Sequence, residues 1–473
     1  RDLPPEHRVA LMALHAMAGA SFNQGSLTDA DKYSAELLKL QRRALGDDHP
    51  DTISTIHDRG AALSNLRRYA EAVAILRQGL EAALRVHGAA HLGVARIQMR
   101  LLEALHGNNQ VADADQLLAT VLDTARKAGG IMAQNAWELV SVQSAWLQRQ
   151  KRTDEAVGLL RDWTDVLRRS NSDSRTLGSC LYRLGDALAA LGNHAEAESA
   201  LLEALAQREK TPDDYRRFQV QRDLGLVLQA QDKFEEAEKH LVSSYRGLRE
   251  SEKQLHISSR RSIFESLDAL IALHQRWNRV EQVAIWRAEL TAFEKHAATQ
   301  RGYWTTLNSR GFALRSAKRF EETLALRTLV VADQTAQLGR EHATTLQTLE
   351  YLGFDYLLAS QPNRAEEIFR EVLRAREKLG PDDWTRFATM RLLGQALLRQ
   401  ERFTEAEPLL VDARDGLFVR QDKIPANLRA HLPTVLTVGA QLYERWGKPD
   451  QAAEWRKKLD AFNAGQPSAA AKP

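Results

Sequence analysis

The feature that most constrains this chain is a spaced pattern that keeps returning. After the pair Leu224–Gly225 come Leu228, Phe234, Ala237 and Leu241, three, nine, twelve and sixteen positions beyond the glycine. The same spacing gives Leu184–Gly185, Leu188, His194, Ala197 and Leu201. It returns as Leu352–Gly353, Tyr356, Pro362, Ala365 and Phe369, and as Leu393–Gly394, Leu397, Phe403, Ala406 and Leu410. A glycine lets a neighbouring helix come close. An alanine marks a helix crossing, where a longer side chain would overpack at a cost of roughly 1–3 kcal/mol. Aligning the crossing residue gives eleven repeats, at Ala30, Ala72, Ala114, Ala156, Ala197, Ala237, Val283, Thr323, Ala365, Ala406 and Ala452, with a mean step of about 42 residues.

The residues after each crossing point keep a helical rhythm. Ala72, Ile75, Leu76, Gly79, Leu80 and Ala83 share one buried face, as do Ala114, Leu117, Leu118, Val121 and Leu122. Between repeats the chain reads Leu45-Gly46-Asp47-Asp48-His49-Pro50-Asp51-Thr52, with related forms at His87–His91, Leu338–His342 and Leu379–Asp383. Here Gly is expected to close one helix in the left-handed conformation. Asp and Pro are expected to open the next, as in Thr211-Pro212-Asp213-Asp214. No alternating strand pattern is present, so the fold class is all-α. One array is expected over residues 6–462. An irregular joint is expected near 251–300, where Ile271 stands for the glycine and Val283 for the alanine. Gln421–Pro433 should be an elongated turn, Asp450–Phe462 a charged capping helix, and residues 463–473 a disordered tail.

This pattern resembles the tetratricopeptide repeat, a helix–turn–helix unit whose common form has about 34 residues. The longer period and the Gly-Asp-Asp-His-Pro turn are similar to the kinesin-light-chain-like subclass. The resemblance implies a right-handed α-solenoid, a superhelix of about eleven helix–turn–helix units. In it the first helices line an inner, concave groove and the second helices the outer side. The ending Tyr443-Glu444-Arg445-Trp446-Gly447-Lys448-Pro449-Asp450, with Ala452-Ala453-Glu454-Trp455-Arg456, resembles carboxy-terminal repeat arrays of bacterial, particularly planctomycete-type, serine/threonine protein kinases.

Composition narrows the function. The 473 residues carry 65 basic and 62 acidic side chains, a net charge of +3. The signs are interleaved with no basic stripe, which argues against nucleic acid. Cys180 is the only cysteine, so a disulfide framework within the chain is excluded, and its place in an amphipathic helix reads as a small buried residue. No apolar run reaches the ~18 residues of a membrane span, no signal peptide is visible, and a cytoplasmic location is expected. The first residue is Arg1 rather than Met, which suits a piece of a longer protein.

No catalytic constellation is present: there is no Gly-rich phosphate loop and no dinucleotide fingerprint. His87 and His91 are four apart, but Gly88 and a turn separate them, so a metal site is not expected. Glu235, Glu236 and Glu238 suit a helix start. Trp137, Trp146, Trp163, Trp277, Trp286, Tyr303 and Trp304 read mainly as core fillers. Neither an enzyme nor a cofactor is expected. The array is read as a non-catalytic scaffold whose groove binds a protein or peptide. The alternative is a ligand- or peptide-sensing regulatory region of a larger signalling protein. Register positions facing the groove include His57, Arg96, Arg100, Tyr182, Arg183, Arg222, Asn308, Arg315 and Arg391. Several arginines on one helix face would supply donors for a peptide's backbone and carboxylates and favour acidic peptides.

Overall fold

The computed structural model describes residues 8–23, 26–211, 214–256, 259–425 and 428–465. Among these the chain is helices and turns, with no strand. The helices follow as hairpins: α1 (Arg8–Asn23) and α2 (Leu27–Leu45), α3 (Pro50–Asn65) and α4 (Tyr69–His87), α5 (Leu92–Gly107) and α6 (Val111–Ala128), α7 (Gly130–Arg149) and α8 (Thr153–Arg169), α9 (Ser174–Ala190) and α10 (His194–Glu209), α11 (Arg216–Ala230) and α12 (Phe234–Glu250). Then come α13 (Arg261–Arg276) and α14 (Val280–Ala298), α15 (Trp304–Ser316) and α16 (Phe320–Leu338), α17 (Ala343–Leu358) and α18 (Pro362–Leu379), α19 (Trp384–Arg399) and α20 (Phe403–Val419), α21 (His431–Arg445) and α22 (Pro449–Gly465). Each aligned crossing residue lies on the second helix of its hairpin.

The chain divides into two compact units. One comprises Arg1–Leu255 with Glu265–Val283, the other His256–Phe264 with Ala284–Pro473. Both are stacks of helix hairpins, and the division falls in the seventh, α13 and α14.

The recurring pattern is a packing rule. Ala72, Ala114, Ala156, Ala197, Ala237, Ala365 and Ala406 are fully buried. A Cβ added at Gly225 would stand 2.6 Å from Leu241 Cγ, and one at Gly394 2.7 Å from Leu410 Cγ. The residue sixteen positions on therefore fills the space the glycine leaves. Where the third and fourth repeats lack the glycine, Leu102 and Ser144 are buried in its place. Trp163, Tyr303 and Trp304 are buried too, whereas Trp146 is half-buried and stacks on His106.

Turn chemistry has three features that the spacing alone does not give. First, the turn inside each hairpin from the second on holds a left-handed residue, and among the described residues glycine fills that role only at Gly192 and Gly447. Arg67, Asn109, Lys151, Asp232, Asn278, Lys318, Ser360 and Glu401 take φ of 59–61° instead. The next amide closes the turn, as Lys233 N donates to Leu228 O at 3.0 Å and Arg68 N to Leu63 O at 2.9 Å, which satisfies carbonyls at the helix end.

Second, Gly46, Gly88 and Gly339 are left-handed, but Gly380 is extended at φ −166°. Pro381 follows it, and a residue before proline is driven to extended conformations. Third, the histidine of the connector is itself the cap. Nδ1 of His49, His91 and His342 accepts from the amides of Asp51, Gly93 and Thr344 at 3.2, 3.0 and 3.2 Å. Thr52 and Thr345 complete the motif by donating to Gly46 O and Gly339 O.

Within Gln421–Pro433 a 3-10 turn spans Gln421–Lys423, and Pro433 lies in the first turn of α21. The last helix runs to Gly465, beyond the expected Phe462. Gly25, Pro212, Asp213 and the tail after residue 465 lie outside the described residues.

Candidate protein-binding face

In the first unit α3 packs on α5, α5 on α7, α7 on α9 and α9 on α11; in the second, α17 packs on α19 and α19 on α21. First helices thus stand side by side from α3 to α11 and from α17 to α21, and their outward positions make a continuous face along each of those runs.

At the amino-terminal end of the first unit this face opens into a cavity of about 250 Å³. Ala18 and Phe22 of α1, Leu37 of α2 and Ala61 of α3 line it, with His57, Asp58 and Arg100 among its polar groups. His57 Nδ1 lies 3.0 Å from Asp58 Oδ1, and Arg100 Nη1 donates to Glu103 at 2.9 Å. Arg96, one turn before Arg100 on α5, is exposed.

Further along, Tyr182 of α9 donates its hydroxyl to Asp223 Oδ2 at 2.7 Å. Arg222 donates through Nε to Asp223 Oδ1 at 2.8 Å and pairs with Glu265 of α13. The chain Tyr182–Asp223–Arg222–Glu265 links three first helices. Burial pushes the Tyr182 phenol up, and the Asp223 charge adds to it. Burial works against the Arg222 charge, but Asp223 and Glu265 outweigh it and raise the guanidinium. Asp186, on the same face of α9, is raised by desolvation and by Asp223, with Arg183 opposing.

In the second unit Asn308 and Arg315 converge on a buried ion pair. Arg327 of α16 and Asp355 of α17 are both fully buried and bonded to each other. Asn308 Oδ1 accepts from Arg327 Nη1 at 2.8 Å, and Arg315 reaches Asp355 at 3.4 Å. Phe312 and Tyr351 stack against the Arg327 guanidinium at 4.5 and 5.0 Å. Burial drives Arg327 down and Asp355 up, each countered by the other's charge.

Arg391 is 5% exposed, not the solvent-facing side chain its register suggests. It leans on two neutral acceptors, Gln395 at 3.3 Å and His431 Nδ1 at 3.4 Å. The carboxylate whose charge acts on it, Glu350, is held by Arg376 at 2.8 Å and by Thr389.

Sequence reasoning missed Arg327, Asp355 and Glu350. A signal existed for the first: Arg327 stands sixteen positions after Gly311, in a slot that the five other repeats keeping the glycine fill with Leu or Phe.

Cys180 is buried, and burial pushes its thiol up to about 12, far from a reactive thiolate. The rings of His87 and His91 stack at 4.4 Å, but Nδ1 of His91 is committed to its cap. Among the described residues no cluster of His, Cys, Asp or Glu could hold a metal ion, and no helix is long and apolar enough to cross a membrane.

A profile of the tetratricopeptide repeat matches residues 9–84, 177–250 and 305–378. A search of curated proteins gives no match. Among solved structures, the nearly identical TPR-like repeats of a kinesin light chain from Podosopora anserina are 19% identical over 53% of this chain and 100% of that one, with a TM-score of 0.32. BtubC (BKLC) from P. vanneervenii is 15% identical over 57% of this chain and 91% of its own, at a TM-score of 0.33. A Rap protein complexed with competence and sporulation factor is 13% identical over 88% and 98%, at a TM-score of 0.32. Spacing, helix hairpins and profile agree that residues 9–84, 177–250 and 305–378 are tetratricopeptide repeats, a protein-binding scaffold fold, and the hairpins between them keep the same spacing.

Proposed function

We propose that the first-helix face of the first unit binds an extended segment of a protein partner, without catalysing a reaction on it. The observation that carries this reading is the chain Tyr182–Asp223–Arg222–Glu265. It holds donors and acceptors from three successive hairpins in fixed positions, as an extended backbone with unpaired N–H and C=O groups requires. Pre-ordered side chains also reduce the entropy lost on binding. The charges favour hydrogen-bond reading over bulk attraction: Arg100 is matched by Glu103, and Arg222 by Asp223 and Glu265. An acidic preference would then rest on Arg96 and Arg183.

The test is an array of extended peptides with blocked termini, probed with the full chain at low and high salt. Tyr182→Phe and Arg222→Gln should weaken binding about tenfold or more, about 1.4 kcal/mol. Arg77→Gln, which breaks an exposed pair with Asp113 on the second helices, should change nothing. Binding lost through Arg77 and kept by the other two variants would move the site to the second-helix side, and failure of every peptide would remove the reading.

A further inference from the structure

The cavity beside α1 has a shape and lining that name its occupant. Its volume of about 250 Å³ falls below the ~300–1,000 Å³ of a pocket for a whole drug-sized ligand. It exceeds the ~150 Å³ in which an apolar cavity accommodates benzene. It is therefore the size of one large side chain.

Ala18, Phe22, Leu37 and Ala61 give it apolar walls, with the neutral hydroxyls of Ser34 and Thr55 and the ring of His15 between them, whereas Asp58 lies beside His57 and Arg100 on Glu103. A charged occupant would lose its hydration against those walls with no free counter-charge. An uncharged bulky group loses nothing comparable and gains the burial of its own apolar surface. Around it, His57 and Arg100 supply polar atoms of the kind a flanking peptide backbone uses.

We propose that this cavity is an anchor pocket for one bulky apolar side chain, of the leucine or phenylalanine class, carried on the partner segment. The proposal rests on the binding face described above and adds to it a sequence requirement. Small apolar side chains leave the cavity partly empty, and acidic or basic ones are rejected by its walls.

One position allows a clean block. A Cβ added at Gly19 of α1 meets no atom within 4 Å, and Gly19 borders the cavity. Gly19→Trp therefore sets a bulky indole at the border of the cavity on a Cβ that meets no core atom, and replacing a helical glycine does not weaken the helix. Gly158 of α8 is equally open and lies outside the cavity, so Gly158→Trp is the matched control.

The experiment scans each position of a blocked peptide library about 20 residues long, enough to run from the cavity to Arg222 at ~3.3 Å per extended residue, by fluorescence anisotropy with the full chain. The expected result is one position at which Leu, Ile, Phe or Trp binds about tenfold or more tightly than Ala, as burial of such a side chain implies. Gly19→Trp should abolish that selection, Gly158→Trp should keep it, and both should still respond to Arg222→Gln. Peptides that bind with no apolar selection, or a selection that survives Gly19→Trp, overturn the anchor pocket and leave the binding face standing. Absence of any peptide binding overturns both.

Discussion

The sixth and eighth hairpins follow one spacing and solve it with opposite chemistry. In the sixth, Gly225 makes room for Leu241, which is fully buried against an apolar crossing at Ala237. In the eighth, Gly311 makes the same room, but the residue sixteen on is Arg327. Its guanidinium carbon would lie 3.0 Å from a Cβ at Gly311. The crossing residue there is Thr323, fully buried, whose hydroxyl donates to Arg319 O. A repeat thus fixes the volume between two helices, not its polarity. An arginine is admitted where the next hairpin offers a buried carboxylate, here Asp355, and where aromatic rings cover its faces.

The largest expected effect breaks that contrast directly. Asp355→Ala leaves Arg327 buried and unpaired and should cost about 3–5 kcal/mol. Arg327→Leu with Asp355→Leu, which carries the apolar solution of the sixth hairpin into the eighth, should be near neutral or stabilising. Calorimetry of the full chain decides it. A single Asp355 variant as stable as the wild type would show that the ion pair does not hold the hairpin.

Next come the two glycines. Gly225→Ala drives a Cβ to 2.6 Å from Leu241 Cγ and 3.2 Å from Ala237 O, whereas Gly311→Ala meets only the guanidinium end of Arg327 at 3.0–3.3 Å. The first should cost about 1–3 kcal/mol and the second less; Ala237→Leu should resemble the first. Equal melting shifts for both glycines and for an exposed Ala→Leu control would remove the packing rule.

A smaller effect depends on pH. Burial, aided by Arg391, lowers His431 from 6.5 to about 4. The unfolded chain then binds the proton more readily than the folded one between those values. The stability the neutral ring contributes is complete above about pH 6.5 and is lost as pH falls toward 4, on the order of 1–2 kcal/mol for a half-buried ring. His431→Gln should flatten that part of the acid-stability curve relative to the wild type, and an unchanged slope would contradict the assignment.

The smallest effect should not distinguish the regions at all. His49→Ala and His342→Ala each remove one helix cap and should cost about 1 kcal/mol apiece. Hydrogen exchange at the capped turns measures both. Markedly unequal values would place part of the contrast in the connectors rather than in the core.

Much of the fold was legible in the sequence because the repeat is a local object. Helix period, the glycine and the residue sixteen on all lie within one hairpin, so Leu224–Leu241 carries its own packing instructions. The connector histidines were legible as turn residues but not as caps, because capping depends on whether a ring nitrogen or a carboxylate faces the free amide. Gly380 was misread where the effect of Pro381 on its neighbour was not applied.

By itself, then, the sequence determined the helices, their pairing into hairpins and the residues at which they touch. Tertiary structure decided which polar side chains meet. Arg327 finds Asp355 28 residues away, and Arg222 finds Glu265 43 residues away, each in the next hairpin. Tyr182 finds Asp223 across 41 residues. No spacing rule selects those partners, because a long side chain can reach several carboxylates and burial decides which contact survives. The same holds for the cavity beside α1. Ala18, Leu37 and Ala61 are ordinary helix residues in the sequence, and only the meeting of three helices leaves a space between them.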